Sequence, residues 1–267
     1  MLLCLDIGNT QTVIGLFDGK ELVDHWRIAT VAERTSDELA LMIQQFLGFH
    51  GFPPFLVGAR RAAAASQATS ITGVAVASGV PRITAALRDM TERYFGFPAL
   101  VLEPGIRTGM PILYDNPKEV GPDRIADAVA AYDLYGGPSI VVDFGTANTI
   151  EAVSEKGEYL GGAIFPGVEI SMDALFQRAA ALRRVELVAP RHVIGKSTVE
   201  SIQSGSVYGF AGQVDGLVER FQEELGECTV VATGGLADAI VPYSRTIMHV
   251  EPWLTLQGLR IIYERNQ

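Results

Sequence analysis

Three things are scarce in this chain of 267 residues: cysteine, basic side chains and long apolar runs. Cysteine occurs only as Cys4 and Cys228, beside or inside apolar stretches, which predicts two buried thiols in a reducing cytoplasm rather than a disulfide framework. Lys and Arg number 21 against 31 Asp and Glu, giving a formal net charge of -10 with no clustered basic stripe. Such a balance repels nucleic-acid backbones and anionic lipid, so neither nucleic acid nor membrane is expected as a partner. No stretch reaches the roughly 20 apolar residues of a spanning helix. The opening MLLCL run lacks a basic flank and is interrupted at Asp6, so it is not expected to act as a signal peptide. The four histidines, His25, His50, His192 and His249, have no zinc-ligand spacing with the cysteines, and no GxSxG elbow occurs.

Two look-alike motifs also fall away. Gly195-Lys196-Ser197-Thr198 resembles the end of a Walker phosphate loop, but the position of its first glycine holds Pro190. Asp143-Phe144-Gly145 resembles the magnesium triplet of protein kinases, but no glycine-rich lid, strand lysine or HRD loop accompanies it.

What is present is a repeated pattern. Leu2 to Leu5 form an apolar run that ends in DIGNT (Asp6 to Thr10), followed by apolar Val13 to Phe17 and an Asp18-Gly19 turn, which reads as a β-hairpin. Further on, Ile140-Val141-Val142 leads into DFGTANT (Asp143 to Thr149), then a mixed stretch to Ser154 and a Lys156-Gly157 turn. Asp6 matches Asp143, Gly8 matches Gly145 and Thr12 matches Thr149, an offset of 137 residues (143 − 6), about half the chain. This is the mark of an internal duplication. Helical patterns alternate with the strands, as in an α/β fold. Thr35 to Phe46 opens on TSDE, a capping-box signature, and carries Leu39, Met42, Ile43 and Phe46 on one face. A second helix starts at Pro81 and runs to Tyr94; a third runs from Pro122 to Tyr135, with proline in its first turn and Gly136-Gly137-Pro138 as its stop. The Ala-rich segment from Ala59 to Ala68 is expected to form a small helix. Gly109 to Pro117, rich in Pro, Gly and Asn, is expected to connect two domains, residues 1–115 and 116–267.

A strand that ends in Asp-x-Gly with Thr and Asn behind it offers a tight turn, exposed amides and hydroxyls for phosphate oxygens, and a carboxylate for a metal or its waters. Two such loops facing each other across an interdomain cleft could hold a triphosphate from both sides. Phosphoryl transfer from ATP is the chemistry that this combination serves.

The motifs also carry a family resemblance. DIGNT at Asp6, YDNP from Tyr114, GPDRIADAVAAY from Gly121, DFGTANT at Asp143, GGAIFPGV from Gly161, IGKST from Ile194 and ATGGLA from Ala232 resemble type III pantothenate kinase, in the same order and over almost the whole chain. That family belongs to the actin-like ATPase superfamily, so the resemblance implies two duplicated ribonuclease-H-like α/β domains with an ATP cleft between them. It implies a homodimeric cytoplasmic enzyme that makes 4'-phosphopantothenate from pantothenate and ATP, the first step of coenzyme A synthesis, with Mg2+ and a monovalent cation, K+ or NH4+. By the same resemblance Asp6, Ile7, Gly8, Asn9, Thr10, Gln11, Thr12 and Val13 form the first phosphate loop, and Thr146 contacts ATP from the second. Asp6 is implied as the magnesium residue, acting directly or through water, and Asp143 as the holder of the monovalent cation. Tyr114, Gly121, Pro122, Asp123, Arg124 and Thr198 are implied as the pantothenate site, with Asp123 as the general base.

Each of these has a plain structural alternative: Arg124 facing solvent, Tyr114 as a half-buried core ring, and Thr198 as the cap of a helix that starts at Val199. The chain departs from the family pattern at Pro122, where Ala is usual, at Asp127 for Asn, Asn148 for Thr and Glu151 for Asp, and around Ala181 and Arg183, where Lys and Pro are usual. Asp127 adds a carboxylate one helical turn from Asp123 and is expected to raise its pKa or repel an anionic substrate. Two other readings compete: a kinase for another small hydroxylated metabolite, and a nucleotide-binding regulator descended from a kinase.

Overall fold

The computed structural model describes residues 1–52, 71–179 and 182–267. The expected helix between Ala59 and Ala68, and Ala181, lie outside the described residues. The chain divides into two units. The first comprises Met1–Thr108, Lys118–Ala126 and Thr255–Gln267; the second comprises Gly109–Pro117 and Asp127–Leu254.

The first unit is built on five strands: β1 (Leu2–Ile7), β2 (Gln11–Asp18), β3 (Glu21–Ala29), β4 (Gly73–Ser78) and β5 (Leu100–Val101), in the spatial order β3-β2-β1-β4-β5. β1 pairs antiparallel with β2 and parallel with β4. Because it is central and covered on both faces, it reads as an uninterrupted apolar run rather than an alternation. One face, with Leu3, Leu5, Ile7, Ile14, Leu16, Val74 and Val76, forms a core with α1 (Ser36–Gly48) and α2 (Pro81–Met90). The TSDE signal is realised in full: the Thr35 side chain accepts from the Glu38 amide, and Glu38 accepts from the Thr35 amide at 2.8 Å. The α2 pattern ends earlier than expected, at Met90, and Thr91–Phe95 continue as a π turn closed by Gly96 at φ +77.

The other face of this sheet is lined by small residues. α7 (Leu254–Glu264) lies so close there that a Cβ on Gly15 would come within 2.7 Å of Leu256 Cδ1, and one on Gly73 would run into the Tyr263 hydroxyl. α7 also meets α3 (Pro122–Tyr135), where a Cβ on Gly258 would collide with the backbone of Ala126. Cys4 is fully buried on β1, and that burial pushes its thiol up; Cys228 is buried too, and neither forms a disulfide.

The second unit repeats the plan. β6 (Ser139–Phe144), β7 (Ala147–Val153), β8 (Tyr159–Pro166), β9 (Thr229–Thr233) and β10 (His249–Val250) lie in the order β10-β9-β6-β7-β8, with β6 antiparallel to β7 and parallel to β9. Read outward from β1 and from β6, the two sheets have the same topology, which realises the duplication expected from the two Asp-x-Gly hairpins. The third strand of each meander follows the Asp18-Gly19 or Lys156-Gly157 turn but was not itself expected from the sequence. A core of Ile140, Val142, Phe144, Ile150, Val230 and Ala232 packs under α4 (Val168–Arg178), the 28-residue α5 (Thr198–Leu225) and the short α6 (Ala237–Ile240).

A buried carboxylate ties α5 to the segment after α6. Asp215, 3% exposed, accepts from the Ser244 hydroxyl at 2.6 Å, the Thr246 hydroxyl at 2.9 Å and the amides of Arg245 and Thr246. Burial alone would raise its pKa, but the hydrogen bonds outweigh that and hold it below the ordinary aspartate value. A depressed folded pKa stabilises the fold above the unfolded value near 4 and is lost as the pH falls through the lower folded value. Asp215→Asn is therefore expected to cost about 2 kcal/mol at pH 7. Urea midpoints at pH 7 and near pH 3 should show that difference shrinking in acid.

Candidate active site

The first Asp-x-Gly hairpin turns between β1 and β2. In its register Asp6 stands opposite Val13 and Ile7 opposite Thr12, with Gly8 to Gln11 forming the turn. The Gly8 amide donates to the Gln11 carbonyl at 3.0 Å, and the Thr30 amide donates to the Thr10 carbonyl at 2.9 Å. Asn9, Thr10 and Gln11 are exposed and Asp6 is half-buried. Ile7 is 1% exposed within the core, so only its backbone is available to a ligand. Thr12 is 5% exposed and its hydroxyl bonds that of Thr30 at 2.8 Å.

The second hairpin turns between β6 and β7. Asp143 stands opposite Thr149 and Phe144 opposite Asn148, so this turn is one residue shorter. The structural counterpart of Thr12 is therefore Asn148, and the pairing of Thr12 with Thr149 expected from the sequence is corrected by one residue. Beyond the turn the offset is 136 (149 − 13). Ungapped matching of the two motifs could not reveal a deletion inside the loop.

Two glycines from elsewhere in the unit press on this second loop. A Cβ on Gly167 would overlap the carbonyls of Gly145 and Thr146, and one on Gly234 would overlap Asp143 Oδ1. Thr146 is exposed and Asp143 half-buried. The ATGGLA motif was a signal for Gly234, but nothing in its spacing tied it to Asp143.

Of the remaining candidates, Gly121, Pro122, Asp123 and Arg124 form the entry to α3 in the first unit. Pro122 is the first helical residue, where its missing N–H costs nothing. The exposed Asp123 folds its carboxylate back, accepting from the Arg124 amide at 2.9 Å, and sits where a Cβ on Gly121 would be. Asp123 thus lies at the positive end of the helix dipole. Arg124 is 7% exposed, which overturns the solvent-facing alternative. Asp127 is buried one turn further on.

Tyr114 and Thr198 belong to the second unit. The half-buried Tyr114 ring lies 6.2 Å from that of Tyr159, over Gly161, where a Cβ would make ordinary contact with the ring but the φ of +132 favours glycine. The fully buried Tyr159 donates its hydroxyl to the Glu151 carboxylate. Thr198 is exposed and is not the helix cap: α5 starts at Thr198, and Ser197 caps it by accepting from the Glu200 amide at 3.2 Å. The Gly195–Ser197 look-alike thereby gains a structural role, since a Cβ on Gly195 would lie 2.5 Å from the Ser201 amide nitrogen. Thr198 also lines a cavity of about 810 Å³ together with Ser171, Met172, Lys196, Ile202 and Phe210.

Among the described residues no group of three or more His, Cys, Asp or Glu could hold a metal ion. Mg2+ commonly binds one or two carboxylates together with substrate phosphates rather than an all-protein cage. Asp6, half-buried next to the exposed turn, is a carboxylate of the kind that would fit it. Asp143, bordered by Gly145 and Gly234, offers carboxylate oxygens, hard donors of a kind that fits a cation.

Comparison with known proteins decides the family. A family model described as type III pantothenate kinase matches residues 2–220. The chain belongs to the type III pantothenate kinase family. A member from Streptomyces griseus is 56% identical over 100% of this chain and 98% of its own length, and one from Moorella thermoacetica is 52% identical over the full length of both. The fold is shared more widely. Component A of (R)-2-hydroxyglutaryl-CoA dehydratase from Acidaminococcus fermentans superposes with a TM-score of 0.57 at 15% identity, covering 100% of this chain and 99% of that one. A ROK hexokinase from Thermus thermophilus superposes with a TM-score of 0.52 at 16% identity, covering 99% and 98%. These share the two-sheet α/β fold that the family resemblance implied. No helix among the described residues is long and apolar enough to cross a membrane.

Against the type III pantothenate kinase pattern, Asn148 is the costly departure. It is 0% exposed on the β7 face that carries Ile150, and neither its amide nitrogen nor its amide oxygen has a hydrogen-bond partner among the described residues. A buried unsatisfied polar group costs about 1–3 kcal/mol. Asn148→Thr puts the residue usual in the family at this register position and adds β-branching suited to a strand. It should raise stability by roughly 1 kcal/mol after some loss of packing, read as a higher urea midpoint.

Proposed function

We propose that the protein phosphorylates pantothenate on its hydroxyl with ATP, the first step of coenzyme A biosynthesis. The observation that carries this reading is full-length membership of the type III pantothenate kinase family, on a fold that places an Asp-x-Gly turn at the same topological point of both sheets.

Phosphoryl transfer asks for positioning and charge more than for covalent chemistry. In this reading the exposed turn from Gly8 to Gln11 and the Thr146 hydroxyl hold phosphate oxygens. Asp6 would hold Mg2+, directly or through water, and Asp143 a monovalent cation, K+ or NH4+; bound there, these ions supply positive charge to phosphate oxygens. Tyr114 and Thr198 line the pantothenate site, and Arg124 neutralises the pantothenate carboxylate. Asp123 accepts the proton of the attacking hydroxyl. Its carboxylate is exposed and held at one geometry by the Arg124 amide, as a base waiting for substrate requires. We place the enzyme in the cytoplasm, where its two thiols would stay reduced.

Consumption of ATP that depends on pantothenate tests the reading directly; equal consumption without it would reject it. Asp123→Asn keeps the side-chain shape and is expected to lower turnover by about 10² to 10⁴ with ATP binding intact. Near-normal turnover in a folded Asn variant would end the base assignment.

We also propose a homodimer formed along α5. Gly205, Gly209, Gly212 and Gly216 recur on one stripe of that helix, and a Cβ on any of the first three would meet nothing within 4 Å. Each glycine inside a helix costs about 1 kcal/mol relative to alanine. Four of them on one stripe make sense if a second helix approaches there. Gly209→Gln should leave the protomer folded and at least as heat-stable. Sedimentation should then fall from twice 28.7 kDa toward 28.7 kDa.

A further inference from the structure

We infer that Gly234 is a positioning residue for Asp143: it fixes the carboxylate that holds the monovalent cation, and so sets how tightly that cation binds. The inference rests on the reading of Asp143 as the cation holder and adds a residue to it.

The argument begins with the register. β6 and β9 run parallel with Asp143 opposite Thr233, so the chain leaving β9 turns at Gly234 directly beside the end of β6. Gly234 has φ +95, a region that no other residue type occupies among the described residues. A Cβ at this point would overlap Asp143 Oδ1 and lie 2.5 Å from the Phe144 amide nitrogen and 2.6 Å from its carbonyl oxygen. Two residues on, the Leu236 amide donates to that same Phe144 carbonyl at 3.3 Å, and the Ala237 amide returns to Gly234. The turn therefore grips the peptide that follows Asp143 and borders its carboxylate. On the other side stands Gly145, whose Cβ would lie 3.4 Å from Oδ2.

The duplication supplies an internal control. In the first unit β1 and β4 pair in the same way, with Asp6 opposite Ala77 and Ile7 opposite Ser78, so Ser78 occupies the position equivalent to Gly234. That serine has its side chain, and its hydroxyl serves the next turn by accepting from the Val80 amide at 3.1 Å and from the Thr84 hydroxyl at 2.7 Å. Gly79 follows, and a Cβ there would meet nothing within 4 Å. The strand-to-helix passage thus tolerates a side chain in one copy of the fold. What differs in the second copy is a turn pressed onto the aspartate. Binding a bare cation requires oxygen donors already in place, because a carboxylate displaced by even part of an ångström gives up much of the interaction.

The experiment titrates potassium at saturating ATP and pantothenate for the unaltered enzyme, Gly234→Ala, Gly79→Ala and Asp143→Asn, with the rise in melting temperature on adding KCl without substrates as a readout apart from turnover. Gly234→Ala should raise the half-activating potassium concentration by at least about ten-fold and weaken the thermal shift, with the KM for pantothenate unchanged; Gly79→Ala should alter neither. A folded Gly234→Ala enzyme with ordinary half-activation and an ordinary thermal shift overturns the inference, even if its melting temperature is lower. Asp143→Asn separates the two levels. If it retains full potassium dependence, the cation reading itself is wrong and the inference goes with it. If it loses that dependence while Gly234→Ala keeps it, only the role of Gly234 fails. Should Gly234→Ala not fold, hydrogen exchange on the unaltered enzyme decides. Potassium should slow exchange of the Leu236 amide, which bonds the Phe144 carbonyl, and unchanged exchange there overturns the inference.

Discussion

The structure depends on one demand: a strand buried on both faces has to deliver a carboxylate at its end. β1, and β6 after its opening Ser139, are apolar until their penultimate residue, and there each places an aspartate, Asp6 or Asp143, half-buried at the mouth of a tight turn. A charge in that place is costly unless something positive meets it. Each aspartate is flanked by paired strands on both sides, and at Asp143 the close approach of Gly234 and Gly145 also borders the carboxylate. The parallel partner strand on one side and the antiparallel one on the other lock its height to within a residue.

Duplication lets the same solution be compared with itself. The two sheets share their strand order, yet equivalent positions have drifted: Thr12 finds a hydroxyl partner in Thr30, whereas Asn148 has none among the described residues. Ser78 organises the entry to a helix, whereas Gly234 yields its space to an aspartate. Where one copy keeps an ordinary residue and the other does not, the difference reflects a local task and not the fold.

Much of this was legible in the residues. The two Asp-x-Gly hairpins, the capping box at Thr35 and the helix from Pro122 to Tyr135 rest on local signals, and all are found where the sequence put them. β3 and β8 were missed because both are exposed along much of their length, so no continuous apolar run marks them. α5 was missed beyond its start because its four glycines mask the helical pattern. The register slip at Asn148 and the grip of Gly234 on Asp143 were out of reach for a further reason: both are created by strands that meet only in space. Among the candidate residues, the sequence could place Asp123 at a helix start, but the burial of Arg124 follows from packing that no spacing encodes.

The membership of α7 bears on how the chain comes to fold. Thr255–Gln267 belongs to the first unit, where this helix covers the small-residue face of the first sheet beside Cys4, Gly15 and Gly73. A ribosome makes β1 at the outset and α7 some 250 residues later, at about 5–20 residues per second. Throughout that interval the nascent first sheet carries an uncovered apolar face, while the second unit already holds all of its own elements once Leu254 has emerged. The part of the protein made first is thus the part completed last, and the nascent chain must be shielded over that face until its final helix arrives.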